Sequence, residues 1–288
     1  MSPVSPISTT ANGLEFPFTE ADFQTLAGIV YERSGIVLSA NKRDMAYARL
    51  VRRLRILGLG SFHDYCWLLG SSNGAHEISF LINAMTTNLT KFFREPHHFE
   101  HFRSQVLPEI VNGAREANPL VRVWSAGCSS GEEPYSLAMT AIAAQDEIGR
   151  KCDLHILATD LDTTMLQKAR AAVYPPASLS DVSQSMRERF FEAPANSGAP
   201  LSKNVRSLVT FKPMNLIGPW PISGNFDAIF CRNVMIYFDA KAKATLVDRF
   251  HPLLKDGGWL YVGHSESLLD RQHQFKLCGR TIYQKINS

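Results

Sequence analysis

The feature that most constrains the fold is an apolar strand that runs into a glycine-containing loop and then into an acidic helix start. It occupies Val121–Pro134, with the sequence VRVWSAGCSSGEEP. Gly127 and Gly131 can adopt positive φ angles, which lets a ligand approach the main chain. This order is typical of a parallel α/β sheet that presents backbone to a nucleotide-like ligand. An ordinary strand-to-helix turn, with glutamates that stabilise the helix N-terminus, is the alternative.

The two acids of this loop narrow the type of ligand. Phosphate sites use bare backbone amides at a helix N-terminus. Here Glu132 and Glu133 occupy that position, and their charges repel phosphate. Carboxylates suit a ligand that combines ribose hydroxyls with positive charge, and S-adenosylmethionine (SAM), a sulfonium, has both.

Composition excludes several classes of protein. The chain has 288 residues, 45% of them apolar, and a net charge of +3, so it suits one large or two modest domains and is not a polycation. Its five cysteines occur singly, which argues against a disulfide framework or a zinc site and favours a reducing cytosol. No apolar run approaches the roughly 18 residues that span a bilayer, and the first residues lack the features of a signal peptide. We expect a cytoplasmic protein with a disordered leader over residues 1–14.

Residues 15–92 are predicted to form a small all-α domain. Thr19 and Asp22 make a capping box that starts the first helix. Apolar spacing predicts a second helix over residues 42–57, and further helices follow from Ser61 and over residues 77–86.

The second helix is unusually basic. It carries six basic residues and one acid, and Arg49, Arg52 and Arg53 share one face. This charge suits a docking surface for an acidic partner, either protein or nucleic acid. A merely solvated face is the alternative.

Residues 93–288 alternate strands with helices, which predicts a parallel sheet covered on both faces. Residues 275–286 indicate a further strand or hairpin, and the proline-rich residues 175–212 predict a small inserted subdomain, with a disordered loop as the alternative. The strand candidates are, in chain order, 121–125, 154–159, 208–211, 226–231 and 259–262.

Ligands of such sheets bind beyond the carboxyl ends of the strands. Asp160 ends the second strand, where an acid commonly accepts ribose hydroxyls. Asp162 can cap the following helix, which leaves Asp160 for the ligand. Asn215 and Leu216 follow the third strand and are candidate contacts for an adenine edge.

The junction between the two regions is rich in polar and aromatic side chains. Asn88, Thr90 and Arg94 can point into one cleft from a loop or a first helical turn. The pair His97 and His98 suggests a metal, but adjacent residues of a helix do not face each other. With no acid or cysteine at a useful spacing, we expect no metal site.

Five motifs together resemble the CheR-type chemotaxis receptor methyltransferases, which are SAM-dependent protein-glutamate O-methyltransferases. The resemblance spans about residues 16–286. It implies a Rossmann-like SAM-dependent methyltransferase domain of the α/β class, with a small inserted β-subdomain, preceded by a small all-α domain. The motifs, in family order, are NLTKFFREPHHF (88–99), VWSAGCSSGEEPYS (123–136), ATDLD (158–162), FDAIFCRNVMIYFD (226–239) and GHSES (263–267).

The resemblance also implies roles for individual residues. Arg94 and Tyr237 are the candidates for orienting the acceptor carboxylate, and Tyr237 corresponds to a tyrosine near the transferred methyl group. The basic helix corresponds to the surface that meets the receptor's acidic helical bundle, through Arg49, Arg52, Arg53 and Arg55. Glu132 is a weaker cofactor candidate than Glu133. The cofactor contacts carry over onto Asn88, Thr90, Arg94, Glu133, Asp160, Asn215, Leu216, Arg232 and Asn233.

The implied function is methylation of receptor glutamates to γ-glutamyl methyl esters for sensory adaptation. One alternative is a methyltransferase for nucleic acid or a small molecule, although CRNVMIYF is not the D/N-P-P-Y/F motif of amino-methylating DNA enzymes. A SAM-sensing regulator without catalysis is another. Residues 192–213 are slightly shorter than in the members that bind a receptor tether, so we expect no tether. We also expect a monomer that binds no nucleic acid and does not insert into membranes.

Overall fold

The structure is a computed structural model that describes residues 14–193 and 198–286. Nearly all of the predicted leader therefore lies outside the described residues. The chain divides into two compact units, one ending at Thr87 and one beginning at Asn88, a few residues before the boundary predicted after residue 92. In the described ranges we find no helix that is both long enough and apolar enough to cross a bilayer.

The first unit is helical, as predicted. The capping box is confirmed, since Thr19 Oγ1 accepts the N–H of Asp22 and the Asp22 carboxylate accepts the N–H of Thr19. Such a cap stabilises a helix by about 1 kcal/mol. Phe18 packs edge-on against Phe23 across the helix start. The helices are α1 (Glu20–Ser34), α2 (Arg43–Leu57), α3 (Phe62–Gly70) and α4 (Ala75–Met85).

The second unit contains the predicted alternation of strands and helices. A π-helical turn (Phe102–Val106) separates its first two helices. The helices are α5 (Pro96–His101), α6 (Leu107–Gly113), α7 (Glu132–Ile148), α8 (Thr163–Ala171), α9 (Gln184–Phe190), α10 (Lys203–Arg206) and α11 (Ala240–Phe250). The strands are β1 (Leu120–Ala126), β2 (Asp153–Asp160), β3 (Val173–Tyr174), β4 (Ala199–Pro200), β5 (Val209–Pro213), β6 (Phe226–Cys231), β7 (Leu254–Val262), β8 (Phe275–Gly279) and β9 (Ile282–Lys285).

Seven strands form one mixed sheet in the order β5-β2-β1-β6-β7-β9-β8. The five strands β5, β2, β1, β6 and β7 are parallel, and β9 pairs antiparallel with both β7 and β8, which confirms the tail hairpin. Every residue of β6 is buried, because a central parallel strand is covered on both faces. The registers Ala126↔Thr159, Asp160↔Pro213 and Cys231↔Val262 bring the carboxyl ends of the parallel strands to one edge.

The predicted insertion lies between α8 and β5. Its small sheet pairs β3 antiparallel with β4, and an isolated bridge joins Phe191 to Leu201. The helices α9 and α10 complete it. The described part is thus ordered rather than a disordered loop, and residues 194–197 lie outside the described ranges.

Candidate active site at the carboxyl edge of the sheet

The glycine loop after β1 leaves no room for larger residues. Gly127 has a φ of 87°, and a Cβ there would lie 2.3 Å from Cγ2 of Val234. Gly131 has a φ of 97°, and its Cβ would lie 2.9 Å from Cβ of Ala169. Both positions are in the left-handed region that favours glycine. The packing around the loop therefore requires glycine at both positions.

Asp160 ties this loop to the end of β2. Its Oδ2 accepts the N–H of Ser129 at 2.7 Å, and its Oδ1 accepts the N–H of Asp162 at 2.8 Å. Burial raises the pKa of Asp160 to about 6, although the backbone N–H groups of Asp162, Ser129 and Leu161 oppose the shift. Each carboxylate oxygen has two lone pairs, so these bonds leave acceptor capacity.

Asp162 caps α8, as the sequence predicted. Its Oδ1 accepts the N–H groups of Thr164 and Met165 at 2.9 and 3.2 Å. Its Oδ2 accepts from the amide of Asn88 at 2.8 Å. Asp162 therefore bonds both Asn88, a predicted cofactor residue, and Asp160.

A buried ion network lies at the centre of the edge. Arg232, whose side chain is 2% exposed, donates from Nη1 to Oε2 of Glu133 at 2.9 Å. Its Nη2 lies 3.4 Å from Oε2 of Glu95 and donates to the carbonyl of Arg94. The other oxygen of Glu133 accepts from Ser125 Oγ at 2.7 Å. Glu133 and Arg232, predicted as separate cofactor contacts, thus bind each other.

The junction segment adopts an unusual backbone. Phe93 and Glu95 have φ angles of 52° and 57°, in the left-handed region that non-glycine residues seldom occupy. Arg94 lies between them and donates from Nη1 to the carbonyl of Leu89 at 2.7 Å. Thr90 is half-buried in the same segment. Strained backbone of this kind is frequent at functional sites.

A second arginine fixes the loop after β5. Arg249 donates to the carbonyls of Leu216 and Gly218 at 2.8 and 2.7 Å, and its guanidinium lies 3.6 Å from the ring centre of Trp220. Oδ1 of Asn215 accepts the N–H of Ile217 at 3.0 Å. The predicted adenine contacts thus belong to a loop that Arg249 holds in place. Sequence reasoning missed Arg249 because the carbonyls that it bonds lie 31 to 33 residues away.

The loop after β6 contains Asn233, a predicted cofactor contact, and Tyr237, a predicted catalytic residue. Asn233 has a φ of 59°, and Tyr237 ends a 3₁₀ turn that begins at Met235. Tyr237 is half-buried. Glu266, which lies in the GHSES motif but had no role assigned from the sequence, is buried and accepts the N–H of Asn233.

Two sequence profiles of known families cover most of the chain. Residues 21–86 match the all-alpha domain of CheR methyltransferases, and residues 88–284 match their SAM binding domain. The chain belongs to the CheR methyltransferase family. SAM is therefore the cofactor, and the fold class inferred from the sequence is confirmed.

Curated relatives of the CheR family extend over nearly all of the chain. The chemotaxis protein methyltransferase of Escherichia coli is 42% identical over 270 residues, which cover 92% of this chain and 91% of that protein. The corresponding protein of Klebsiella aerogenes is 42% identical over 271 residues, 93% and 90% of the two chains. Chemotaxis protein methyltransferase 2 of Pseudomonas aeruginosa is 39% identical over 285 residues, 98% and 99% of the two chains.

The residues of the carboxyl edge fit the CheR cofactor. Glu132 and Glu133 begin α7, and Asp160 ends β2. The charge of Glu133 is balanced by Arg232, so Glu132 and Asp160 are the carboxylates of this group that favour a cation over phosphate. Asp160 is positioned by backbone bonds and retains acceptor capacity for ribose hydroxyls. The individual contacts to SAM remain predictions.

The histidine pair lies closer together than helical spacing suggests. The rings of His97 and His98 are 4.1 Å apart, because both Nε2 atoms lie near the carbonyl of Arg280. Sequence reasoning also overlooked Glu95, which offers an oxygen within 4.8 Å of the histidine nitrogens. The guanidinium of Arg232 lies 3.4 Å from Oε2 of Glu95, which disfavours a second cation there. That no metal binds stays a prediction.

The four predicted docking arginines of α2 differ in their surroundings. Arg49 donates to the carbonyls of Ala84 and Thr86, at the end of α4. Arg53 makes a bidentate pair with Glu77 at 2.8 and 2.6 Å, and Arg55 pairs with Glu15. Arg52 is exposed. Arg49 and Arg53 therefore connect elements within the helical unit, in addition to any bond with a partner.

The affinity of this CheR family member for SAM should fall below about pH 6. Asp160 is the predicted acceptor of the ribose hydroxyls, and its protonation would turn one acceptor oxygen into a donor. Because burial raises the pKa of Asp160 to about 6, full affinity is expected above about pH 7. Below about pH 6 the dissociation constant should rise by up to about tenfold per pH unit. Calorimetric titration with SAM from about pH 5 to about pH 8 measures this profile.

The matched variant is Asp160→Asn. It removes the titrating group, so its SAM affinity should be weaker than that of the parent and nearly independent of pH in the same range. A flat profile for the parent, or an equal slope in both proteins, would contradict the role assigned to Asp160.

Proposed function

We propose that this chain transfers the methyl group of SAM to glutamate side chains of chemotaxis receptors and forms γ-glutamyl methyl esters. The observation that carries the proposal is the match of both family domains together with 39 to 42% identity to chemotaxis protein methyltransferases over nearly the whole chain. The acidic carboxyl edge of the sheet supports SAM as the methyl donor. In the cell, the reaction serves sensory adaptation.

The acceptor needs no general base. A glutamate side chain with an ordinary pKa near 4.3 is already ionised at neutral pH. A covalent cysteine relay is disfavoured, because burial raises the pKa of Cys128 and Cys231 well above the usual value and keeps both thiols protonated. A protonated thiol is a poor nucleophile. The work of the protein is therefore to position the acceptor and to exclude water.

Different residues at the carboxyl edge of the sheet bind the cofactor and orient the acceptor. SAM, when bound, supplies an electrophilic methyl group on a sulfonium. Asp160 accepts the ribose hydroxyls, and Asn215 and Leu216 border the adenine. Arg94 and Tyr237 orient the acceptor carboxylate through a charge-assisted bond and a hydroxyl bond. The bond of Arg94 to Leu89 uses one of the five N–H donors of a guanidinium.

The receptor meets the helical unit through the basic face of α2. Methylated receptors present an acidic helical bundle, which a basic helix attracts electrostatically. Arg52 is the exposed member of the face that includes Arg49 and Arg53, so it can reach a partner without breaking an internal bond. Arg49 adds positive potential from a fixed position, whereas the charge of Arg53 is largely balanced by Glu77.

Reversing the charge of Arg52 should weaken receptor docking without changing the cofactor site. In Arg52→Glu the KM for receptor should rise about fivefold at low salt, since exposed charge pairs are individually weak, and the difference should shrink at high salt. The dissociation constant for SAM should stay as in the parent. Initial rates against receptor membranes at two ionic strengths measure the effect.

Lys276→Glu provides the control, because Lys276 is exposed on β8 in the other unit. It changes the net charge by the same amount but lies outside α2, so its KM should stay near that of the parent. If both variants raise KM equally, only the overall charge matters and α2 is not the docking surface.

A labelled-methyl assay tests the proposed function itself. SAM with a labelled methyl group is incubated with receptor membranes, with DNA, or with no acceptor. We expect label only on the receptor, and we expect base to release it, as for an ester. Label on DNA would support a nucleic-acid methyltransferase. SAM binding with no transfer to any acceptor would support a sensor. The expected monomer and the absence of a receptor tether stay predictions.

A further inference from the structure

Two strand-end loops of the second unit are joined by one buried side chain. The parallel pairing of β6 with β7 ends at Cys231 and Val262, and the chain then forms the loops 232–238 and 263–267. The carboxylate of Glu266 connects them. Its Oε2 accepts the N–H of Gly263 at 2.5 Å and of Asn233 at 2.9 Å, and its Oε1 accepts the N–H of Ile236 at 3.2 Å.

The backbone at this junction depends on these bonds. Asn233 has a φ of 59°, in the left-handed region that asparagine enters more readily than other non-glycine residues but less readily than glycine. A Cβ on Gly263 would lie 2.4 Å from Nδ2 and 2.7 Å from the backbone N of Asn233, so the two loops are in close contact. Bonds from backbone N–H groups to an ionised carboxylate are stronger than neutral hydrogen bonds. They hold Asn233 in this conformation and keep the two loops in contact.

The loop held in this way carries the residues predicted to act in methyl transfer. Asn233 is bonded directly, and Ile236 immediately precedes Tyr237. Glu266 itself is 6% exposed and turns both oxygens toward backbone N–H groups. Both oxygens are therefore engaged in holding the two loops.

We propose that Glu266 is a positioning residue for methyl transfer, which fixes Asn233 and Tyr237 relative to the end of β7. This inference rests on the proposed function, because it takes Tyr237 to orient the acceptor. A misplacement of about 1 Å at a reacting centre can cost about a hundredfold in rate. Loss of the carboxylate should thus reduce turnover far more than it reduces the folded fraction.

The test compares Glu266→Gln with Glu266→Asp. Glutamine keeps one acceptor oxygen and replaces the other with an NH₂ group, which cannot accept a backbone N–H. The side chain therefore cannot accept the N–H groups of both Asn233 and Ile236 in the parent geometry. We expect kcat with receptor membranes to fall about thirtyfold to a hundredfold, and the dissociation constant for SAM to rise about tenfold. Hydrogen exchange of a peptide covering residues 231–238 should accelerate. Circular dichroism at the assay temperature should show a folded protein.

Aspartate keeps the charge on a shorter side chain and should give an intermediate kcat. Glu109→Gln is the control, because it makes the same chemical change at an exposed position on α6. A folded Glu266→Gln protein with kcat, SAM affinity and exchange as in the parent overturns the proposal. If that variant does not fold, kcat, SAM affinity and hydrogen exchange are measured on Glu266→Asp, and parent-like values there overturn the proposal. If the parent methylates no receptor, the proposed function fails, whereas SAM affinity and exchange still test Glu266.

Discussion

Replacement of Arg232 by methionine should lower the free energy of unfolding by about 3 to 5 kcal/mol, the usual cost of breaking a buried ion pair on one side. The guanidinium is 2% exposed and pairs with Glu133 and Glu95, whose side chains are 12% exposed. Methionine fills part of the volume but leaves two carboxylates without their cation. Urea unfolding at neutral pH, monitored by circular dichroism, measures the difference.

The control for this prediction is Arg103→Met. Arg103 also pairs with two glutamates, Glu100 and Glu147, but its side chain is 35% exposed and theirs are more than half exposed. Exposed pairs contribute about 0 to 1 kcal/mol. An equal loss of stability in both variants would show that burial of the network has no special importance.

The stability difference should also depend on pH. Burial opposes ionisation of Glu95, but the charge of Arg232 and the bonds from His264 outweigh it and lower the pKa of Glu95 to about 2. A depressed carboxyl pKa stabilises the folded state above the unfolded value of about 4.5, and this contribution disappears as the pH falls toward about 2. The Arg232→Met variant lacks the part of that contribution that the guanidinium supplies. The gap between the two proteins should therefore narrow as the pH falls from about 5.

Replacement of Arg94 by alanine should reduce turnover by at least about a hundredfold. Its guanidinium is the predicted partner of the acceptor carboxylate, and loss of a single preorganised donor at a reacting group costs about that much. The Arg94 carbonyl is held by Arg232 through the backbone, so the substitution leaves that contact in place. Single-turnover measurements with saturating SAM and receptor membranes isolate the transfer step.

Binding of SAM separates the two roles that Arg94 was assigned. If Arg94 acts mainly on the acceptor, the SAM dissociation constant of Arg94→Ala should rise only a few-fold, and Arg94→Lys should recover part of the rate, because lysine keeps the charge but not the planar fork. Near-normal turnover of the alanine variant with intact SAM binding would refute the role in positioning the acceptor.

Short-range signals predicted the elements of this protein well. The capping box of Thr19 and Asp22 and the cap at Asp162 were predicted correctly, because a cap is decided within about four residues of sequence. The five parallel strands and the tail hairpin followed from apolar runs. Helical spacing also placed Arg49 and Arg53 on one face of α2, but it did not reveal their bonds to the end of α4 and to Glu77.

The sequence by itself determined the class of fold, the family and the set of loops that form the candidate site, since strands, caps and motifs are each encoded within a few neighbouring residues. Only the tertiary structure decided which of those residues bind one another. Arg232 meets Glu133 across 99 positions, and Glu266 meets Asn233 across 33. Such partners are adjacent because parallel strands bring their carboxyl ends to one edge, and no local pattern records which side chains then lie within bonding distance.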